Sequence, residues 1–161
     1  MLIKVRELSG AYNGLAQKIK FIKSCYQSSL LDPRVRRFAE QAAGRGDRLT
    51  QVKNLYDALK ARLVYTPDPV GIEYTKSPSR HLDDILSTKV SYGDCDDHAC
   101  VAYSMLQMIG IPAKLRVTWY DKSMPQHIYT MAQVSGKWYP FDTTKRSGFG
   151  KEAPYSKARD F

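Results

Sequence analysis

The chain has 161 residues and carries 25 lysine and arginine side chains against 16 aspartate and glutamate side chains, a formal net charge of +9. This length fits one domain with a normal core, and 43% hydrophobic residues is ordinary for a globular protein. The basic excess favours anionic partners such as nucleic acid, acidic proteins or cell-wall polymers, but it does not indicate a fold.

The cysteines are Cys25, Cys95 and Cys100. An odd and low count excludes a disulfide framework, and the absence of a Cys-x-x-Cys pair argues against a zinc site. The first residues lack the apolar core of a signal peptide, and no segment approaches 18 uninterrupted apolar residues. These features predict a cytoplasmic protein that does not enter a membrane. Cys25 and Cys100 are expected in the core.

The first half of the chain is predicted to be helical. Apolar residues recur every three or four positions from Lys4 to about Leu30, with an interruption near Gly10 to Gly14. Asp32-Pro33 predicts a helix start, and that helix should run to Ala43. Asp47 is expected to cap a further helix that ends at Leu63.

The second half combines one strong helix with strands. Residues 64 to 80 contain several prolines and predict an extended loop, and a short helical segment is expected over residues 81 to 87. The strong helix runs from Asp94 to Ile109. Strand-like runs follow over Ala113 to Tyr120, His127 to Val134 and Lys137 to Phe141, with Ser135-Gly136 as a hairpin turn and a polar tail from Thr143.

This order predicts an α+β fold in which one helix packs on an antiparallel meander. Residues 1–46 are interpreted as an N-terminal helical extension. Residues 47–161 are interpreted as the core with its C-terminal tail.

Cys95 is the candidate nucleophile because it lies in the first turn of the strong helix. A helix N-terminus lowers the pKa of a thiol, and its unpaired N–H groups can bind an oxyanion. Thiol catalysis also needs a base and a group that orients the base. His127 begins one strand and Asp142 follows the next strand of the same hairpin, so the two residues are expected to lie near one another.

Four segments together carry a resemblance to a known family: Gly93-Asp-Cys-Asp-Asp-His-Ala99, Gly110-Ile-Pro-Ala-Lys-Leu-Arg116, His127-Ile-Tyr129 and Trp138-Tyr-Pro-Phe-Asp-Thr-Thr144. Over about residues 47 to 145 the chain resembles the transglutaminase-like superfamily, and the form of the cysteine motif is similar to a small subgroup of bacteria and tailed phages. Residues 1–46 lie outside the resemblance.

The resemblance implies a papain-like arrangement in which Cys95 is the nucleophile, His127 the general base and then acid, and Asp142 the group that orients the imidazole. The family's usual side-chain donor to the oxyanion has no clear counterpart here. Tyr92 or Tyr74 could supply a hydroxyl.

The cluster of Asp94, Asp96, Asp97 and His98 contains residue types that can bind a metal. Adjacent helical positions diverge by about 100°, so the cluster is not expected to converge on one ion, and helix capping by Asp94 and Asp97 is preferred. Neither a metal nor another cofactor is predicted. Negative charge beside Cys95 should nevertheless raise the pKa of its thiol.

The predicted function is a cysteine peptidase or amidase that acts through a thioester on Cys95. The alternative is a structural or assembly component of a phage particle with weak or no catalysis, which would place the protein in the virion. The expected partners are a protein or peptide substrate, for which the basic charge favours an acidic character, and a protein that binds residues 1–30.

Other side chains carry weaker expectations. His81 is expected at the surface or at a helix cap, and Trp138 in the core behind the sheet. Trp119, Tyr120 and Tyr129 could equally line a substrate groove or pack. No nucleic-acid motif accompanies the basic cluster, so specific nucleic-acid recognition is not predicted; the cluster comprises Arg34, Arg36, Arg37, Arg45, Arg48 and Lys53.

Overall fold

The computed structural model of the chain describes residues 5–6, 11–121, 123–146 and 148–161. The helices are α1 (Ala11–Ser29), α2 (Pro33–Ala43), α3 (Arg48–Lys60), α4 (Pro78–Thr88) and α5 (Cys95–Met108). The strands are β1 (Val5–Arg6), β2 (Leu63–Tyr65), β3 (Glu73–Tyr74), β4 (Ser91–Gly93), β5 (Ala113–Trp119), β6 (His127–Val134), β7 (Lys137–Phe141) and β8 (Lys157–Asp160). The predicted α+β class is confirmed.

The helix starts follow side-chain caps that the sequence contains. The Asp32 carboxylate accepts from the Arg34 N–H ahead of α2, and the Asp47 carboxylate accepts from the Thr50 N–H ahead of α3. Ser77 caps α4 in the same way, with proline at the first helical position. The predicted helix start at Asp32-Pro33 and the predicted cap at Asp47 are therefore confirmed.

Three predicted boundaries are wrong. The first helix begins at Ala11, because Val5 and Arg6 instead form a strand that pairs antiparallel with β3. Helix α3 ends at Lys60, and residues 63–65 pair in parallel with β4, so long-range strand pairing overrides the helical pattern there. The predicted loop over residues 64 to 80 contains the rest of β2, all of β3 and the first turn of α4.

The main sheet has the strand order β7-β6-β5-β8 and is antiparallel throughout. The predicted hairpin is confirmed: Val134 pairs with Lys137 across Ser135 and Gly136, which adopt φ values of 50° and 78°. The outer strand β8 was not predicted, because its sequence is polar. It covers one edge of β5 near the end of the chain.

Helix α5 lies between the sheet and the other helices. One group of buried side chains joins α5 to α2, α3, α4 and the sheet, and a second joins it to α1 and the sheet. In the second group, Ile19, Ile22 and Cys25 of α1 pack with Cys100 and Tyr103 of α5. The expected burial of Cys25 and Cys100 is therefore confirmed. Within the described part of the chain, none of the helices has the length and apolar character required to span a membrane.

Candidate active site

The N-terminus of α5 holds Cys95 in the first helical position. Asp94 is the N-cap, and its carboxylate accepts from the Asp96 N–H at 3.1 Å. The Asp97 carboxylate accepts from the Asp94 N–H at 3.2 Å, which completes a capping box. This arrangement fixes the backbone on both sides of Cys95, and the predicted capping roles of Asp94 and Asp97 are confirmed.

His127 and Asp142 meet at the open end of the β6–β7 hairpin. The Nε2 atom of His127 lies 2.7 Å from Oδ2 of Asp142. The other carboxylate oxygen accepts from the hydroxyl of Thr144 at 2.6 Å and from its N–H at 3.0 Å. Burial raises the pKa of Asp142, but the hydrogen bond and charge of His127 and the two Thr144 donors outweigh burial and hold that pKa below its usual range.

Cys95 and His127 line one cavity of about 440 Å³. Because Nε2 of His127 is engaged by Asp142, Nδ1 is the ring nitrogen left for proton exchange with a thiol. The other lining residues come from α1, the β2–β3 region, the start of α5 and the β5–β6 region: Gly14, Leu15, Lys18, Tyr65, Glu73, Asp94, Val117, Met124, Pro125, Gln126 and Ile128. The fold thus brings Cys95 and the His127–Asp142 pair, which are distant in sequence, to one site.

A family model described as the transglutaminase-like superfamily matches residues 36–143. The chain belongs to this superfamily. The match begins 11 residues before residue 47, where the sequence resemblance was placed (47 − 36 = 11), and it therefore includes most of α2. Helix α1 lies outside it.

Solved structures share this transglutaminase-like fold. A candidate protease from Parabacteroides distasonis ATCC 8503 is 17% identical with a TM-score of 0.63, and the alignment covers 81% of this chain and 26% of that one. A candidate cysteine protease from Cytophaga hutchinsonii is 20% identical with a TM-score of 0.52, covering 80% of this chain and 46% of that one. This chain thus spans about a quarter of the length of the first protein and less than half of the length of the second. No curated protein matches it.

The thiol of this transglutaminase-like domain lies in surroundings that disfavour a thiolate. Burial and the negative charges of Asp94 and Asp96 raise the pKa of Cys95 to about 12. The Lys18 ammonium and a hydrogen bond from the Ile128 backbone act in the opposite direction. The expected effect of the neighbouring carboxylates on the thiol pKa is confirmed.

Asp94 and Asp96 respond to their surroundings in opposite ways. Burial, together with the neighbouring Asp96 carboxylate, raises the pKa of Asp94 to about 9. Burial also raises the pKa of Asp96, but the hydrogen bond from Asp94 and the Lys18 ammonium outweigh it and hold that pKa below its usual range. The two carboxyl groups thus share one proton unequally, and Asp94 binds it more tightly than Asp96.

The acidic residues do not diverge as the sequence suggested. Carboxylate oxygens of Asp94, Asp96 and Asp97 lie within 4.8 Å of one another, so the expectation of divergence is wrong. The reason is that Asp94 precedes the helix and turns back over its first turn as a cap. His98 points elsewhere: its Nδ1 lies 2.8 Å from Oγ1 of Thr143, and burial lowers the pKa of its imidazole to about 4.

His81 is fully buried, so its expected place at the surface or a cap is wrong. Its Nδ1 lies 2.8 Å from Oγ of Ser91, and its Nε2 lies 3.1 Å from Oδ1 of Asp97. The same oxygen of Asp97 accepts from the Lys76 N–H at 2.7 Å. His81 thus holds the Asp97 side chain of the capping box in place through a buried hydrogen bond. A sequence motif alone does not reveal this contact.

The tyrosines suggested as oxyanion donors lie apart from the described cavity lining. Tyr92 is 54% exposed on β4, and Tyr74 lies on β3, where its N–H donates to Asp68. Among the residues that the structure describes, Tyr65 is the tyrosine that lines the cavity. Tyr65 is absent from the predicted site because the sequence pattern predicts a helix end and a loop for residues 63–65, where the structure has β2.

Trp138 and Tyr129 differ in how they compare with the sequence-based expectations. Trp138 is only half-buried, with the Lys114 ammonium 4.2 Å from its ring centroid, so its expected place in the core is wrong. Tyr129 is buried, stacks on the His127 ring at 5.3 Å and donates to Glu152.

Part of the basic cluster has a structural role. Arg36 donates to the Met108 carbonyl at 3.0 Å and Arg48 donates to the Ile109 carbonyl at 2.9 Å, which satisfies carbonyls at the C-terminus of α5.

Proposed function

We propose that this chain is a transglutaminase-like cysteine hydrolase that cleaves peptide or other amide bonds through a thioester on Cys95. One observation carries the proposal: Cys95 and a histidine already bonded to a carboxylate line the same cavity. A nucleophile, a base and a group that orients the base are the parts that thiol catalysis requires.

In the first half of the reaction, Nδ1 of His127 takes the proton from the Cys95 thiol as Sγ attacks the substrate carbonyl carbon. The resulting oxyanion lies near the first turn of α5, where the backbone N–H of Cys95 is a donor. His127 then gives its proton to the leaving amine, the carbon–nitrogen bond breaks, and a thioester remains on Cys95.

In the second half, His127 takes a proton from water, and the hydroxide oxygen attacks the thioester carbonyl. Collapse of that intermediate releases the carboxylic acid, and the thiolate recovers the proton from His127. Asp142 holds Nε2 throughout and stabilises the imidazolium. Because burial and the neighbouring carboxyl groups raise the pKa of the resting thiol, proton transfer to His127 accompanies attack.

A protein or peptide is the proposed substrate. The cavity is open to side chains of either polarity, since Tyr65, Met124 and Val117 line it together with Glu73 and Lys18. The basic surface expected to attract an acidic substrate acts at longer range than these contacts.

The proposal is tested by incubating the protein with a mixed peptide library and identifying the products by mass spectrometry. New carboxyl termini should appear with the wild type and disappear with Cys95→Ala and His127→Ala. An added primary amine distinguishes hydrolysis from acyl transfer, because acyl transfer would give amide products. Intact Cys95→Ala activity would contradict the proposal.

A non-catalytic role on the same fold, as an assembly component of a particle such as a phage virion, is the second candidate. The raised pKa of Cys95 favours it, because an unreactive thiol suits a scaffold. A partner that binds residues 1–30 would contact faces of α1 other than its apolar stripe, which packs against α5. Absence of cleavage, with Cys95 alkylated no faster than an ordinary thiol, would favour this candidate.

A further inference from the structure

A buried cation from α1 lies beside the candidate nucleophile. The Nζ atom of Lys18 is 2.8 Å from Glu73 and 3.1 Å from Oδ2 of Asp96. The side chain of Lys18 is 17% exposed and that of Asp96 is fully buried. Lys18 also lines the cavity that contains Cys95.

The carboxylate of Asp96, which pairs with this cation, lies next to Cys95 in the chain. Its Oδ2 atom also accepts from the Thr75 hydroxyl at 2.8 Å, so the carboxylate is held in place one residue after Cys95. A buried carboxylate with no counter-charge would oppose any negative charge on the adjacent sulfur. Within the described part of the chain, the ammonium of Lys18 supplies the counter-charge to this carboxylate.

We propose that Lys18 is a positioning residue of the active site, which neutralises the Asp96 carboxylate and thereby allows Cys95 to lose its proton. The proposal rests on the proposed function only in taking Cys95 as the nucleophile. It makes α1, which lies upstream of the segment that the family model matches, part of the catalytic apparatus.

Several other ionisable groups surround the site and must be held constant in a test. They are Tyr65 from β2, Asp68 from the following loop, Glu73 from β3, Asp94 from the cap of α5 and His127 from β6. The shift in the thiol pKa agrees with the geometry, since Lys18 lowers it while Asp94 and Asp96 raise it.

The experiment is alkylation of the folded protein by iodoacetamide from pH 6 to 10, with each cysteine measured separately by mass spectrometry. The reagent is uncharged, so its rate reports the thiolate fraction and not attraction of the reagent. Lys18→Met should slow alkylation of Cys95 by about tenfold at a fixed pH, equivalent to about one pKa unit. Lys18→Arg should preserve the rate.

Removing the negative partner as well as the positive one separates an electrostatic effect from damage to the fold. Asp96→Asn alone should speed alkylation of Cys95, because it removes the negative charge and leaves the ammonium. Lys18→Met with Asp96→Asn should return the rate close to that of the wild type. Lys20→Met, at an exposed position on the same helix, is the matched control and should change nothing.

Equal Cys95 rates in the wild type, Lys18→Met and Asp96→Asn would overturn the proposal, as would slowing by both single variants. If Lys18→Met fails to fold, judged by circular dichroism, Asp96→Asn and Lys18→Arg still decide the question. Peptide cleavage is measured separately: loss of the proposed hydrolase function would leave the charge-dependent alkylation series intact, and failure of the Lys18 proposal would leave cleavage by the wild type intact.

Discussion

The Nε2 atom of His127 lies 2.7 Å from Oδ2 of Asp142, although strand pairing between β6 and β7 stops at Thr130 and Phe141. The pair therefore lies just beyond the last paired residues of β6 and β7, where the two strands no longer pair with each other. His127 of this pair lines the cavity, while Ala132, Val134 and Phe141 further along the hairpin belong to the apolar core.

Asp142→Ala should lower kcat/KM by about 10²- to 10⁴-fold, because His127 loses the acceptor that fixes its ring. Asp142→Asn should lower kcat/KM less than Asp142→Ala, since its amide oxygen can still accept from Nε2 of His127. Its amide nitrogen cannot accept the two hydrogen bonds that Thr144 donates to Asp142. Cleavage of a peptide found in the library screen provides the measurement. Equal rates for Asp142→Ala and the wild type would show that His127 needs no orienting group.

Gly93→Ala should destabilise the protein by about 1–3 kcal/mol, because a methyl group at this position would lie 2.4 Å from Cβ of Asp97. The contact would push Asp97 away from the N–H of Asp94 and disturb the turn that presents Cys95. Urea unfolding gives the change in the free energy of unfolding. The control is Gly136→Asn at the hairpin, where nothing lies within 4 Å and asparagine tolerates the positive φ; equal losses would contradict the steric explanation.

His81→Phe should lower the free energy of unfolding by about 1–3 kcal/mol, because Ser91 and Asp97 lose a buried hydrogen-bond partner. The effect should appear as a lower urea midpoint at unchanged slope. Arg80→Ala removes only an exposed ion pair with Asp84 on the same helix and should cost much less. A His81→Phe protein as stable as the wild type would show that the buried network contributes no net stability.

The sequence was sufficient for the parts of the site that local signals define. A strong helix with aspartate caps placed Cys95, and a two-residue turn set the register that brings His127 near Asp142. Both signals act over a few residues, so hydrophobic periodicity and turn chemistry were enough.

The missed features all depend on pairing between distant segments. Lys18 reaches Asp96 only because α1 packs across α5, and no spacing in the sequence connects the two residues. The strand over residues 63–65 is fixed by its partner β4, 28 positions further along (91 − 63 = 28), and not by its own short pattern. The buried position of His81 likewise follows from tertiary packing.

The last prediction concerns pH and the cap residue Asp94, whose pKa rises to about 9 in the folded protein. In the unfolded chain this carboxyl has a pKa of about 3.9. Between these values the native state holds a proton that the unfolded state has lost. The contribution of Asp94 to the free energy of unfolding therefore falls as the pH rises, by at most about 1.4 kcal/mol per pH unit.

Asp94→Asn should remove this dependence, because asparagine remains a good N-cap but has no proton to lose. The variant should gain stability relative to the wild type as the pH rises from 5 to 9, measured by urea unfolding at each pH. Asp47→Asn is the matched control: it caps α3 from an exposed position with a lowered pKa, so its difference from the wild type should stay constant over this range. If the two variants give parallel curves, Asp94 is ionised in the folded protein, and the thiol of Cys95 then lies beside two negative charges at neutral pH.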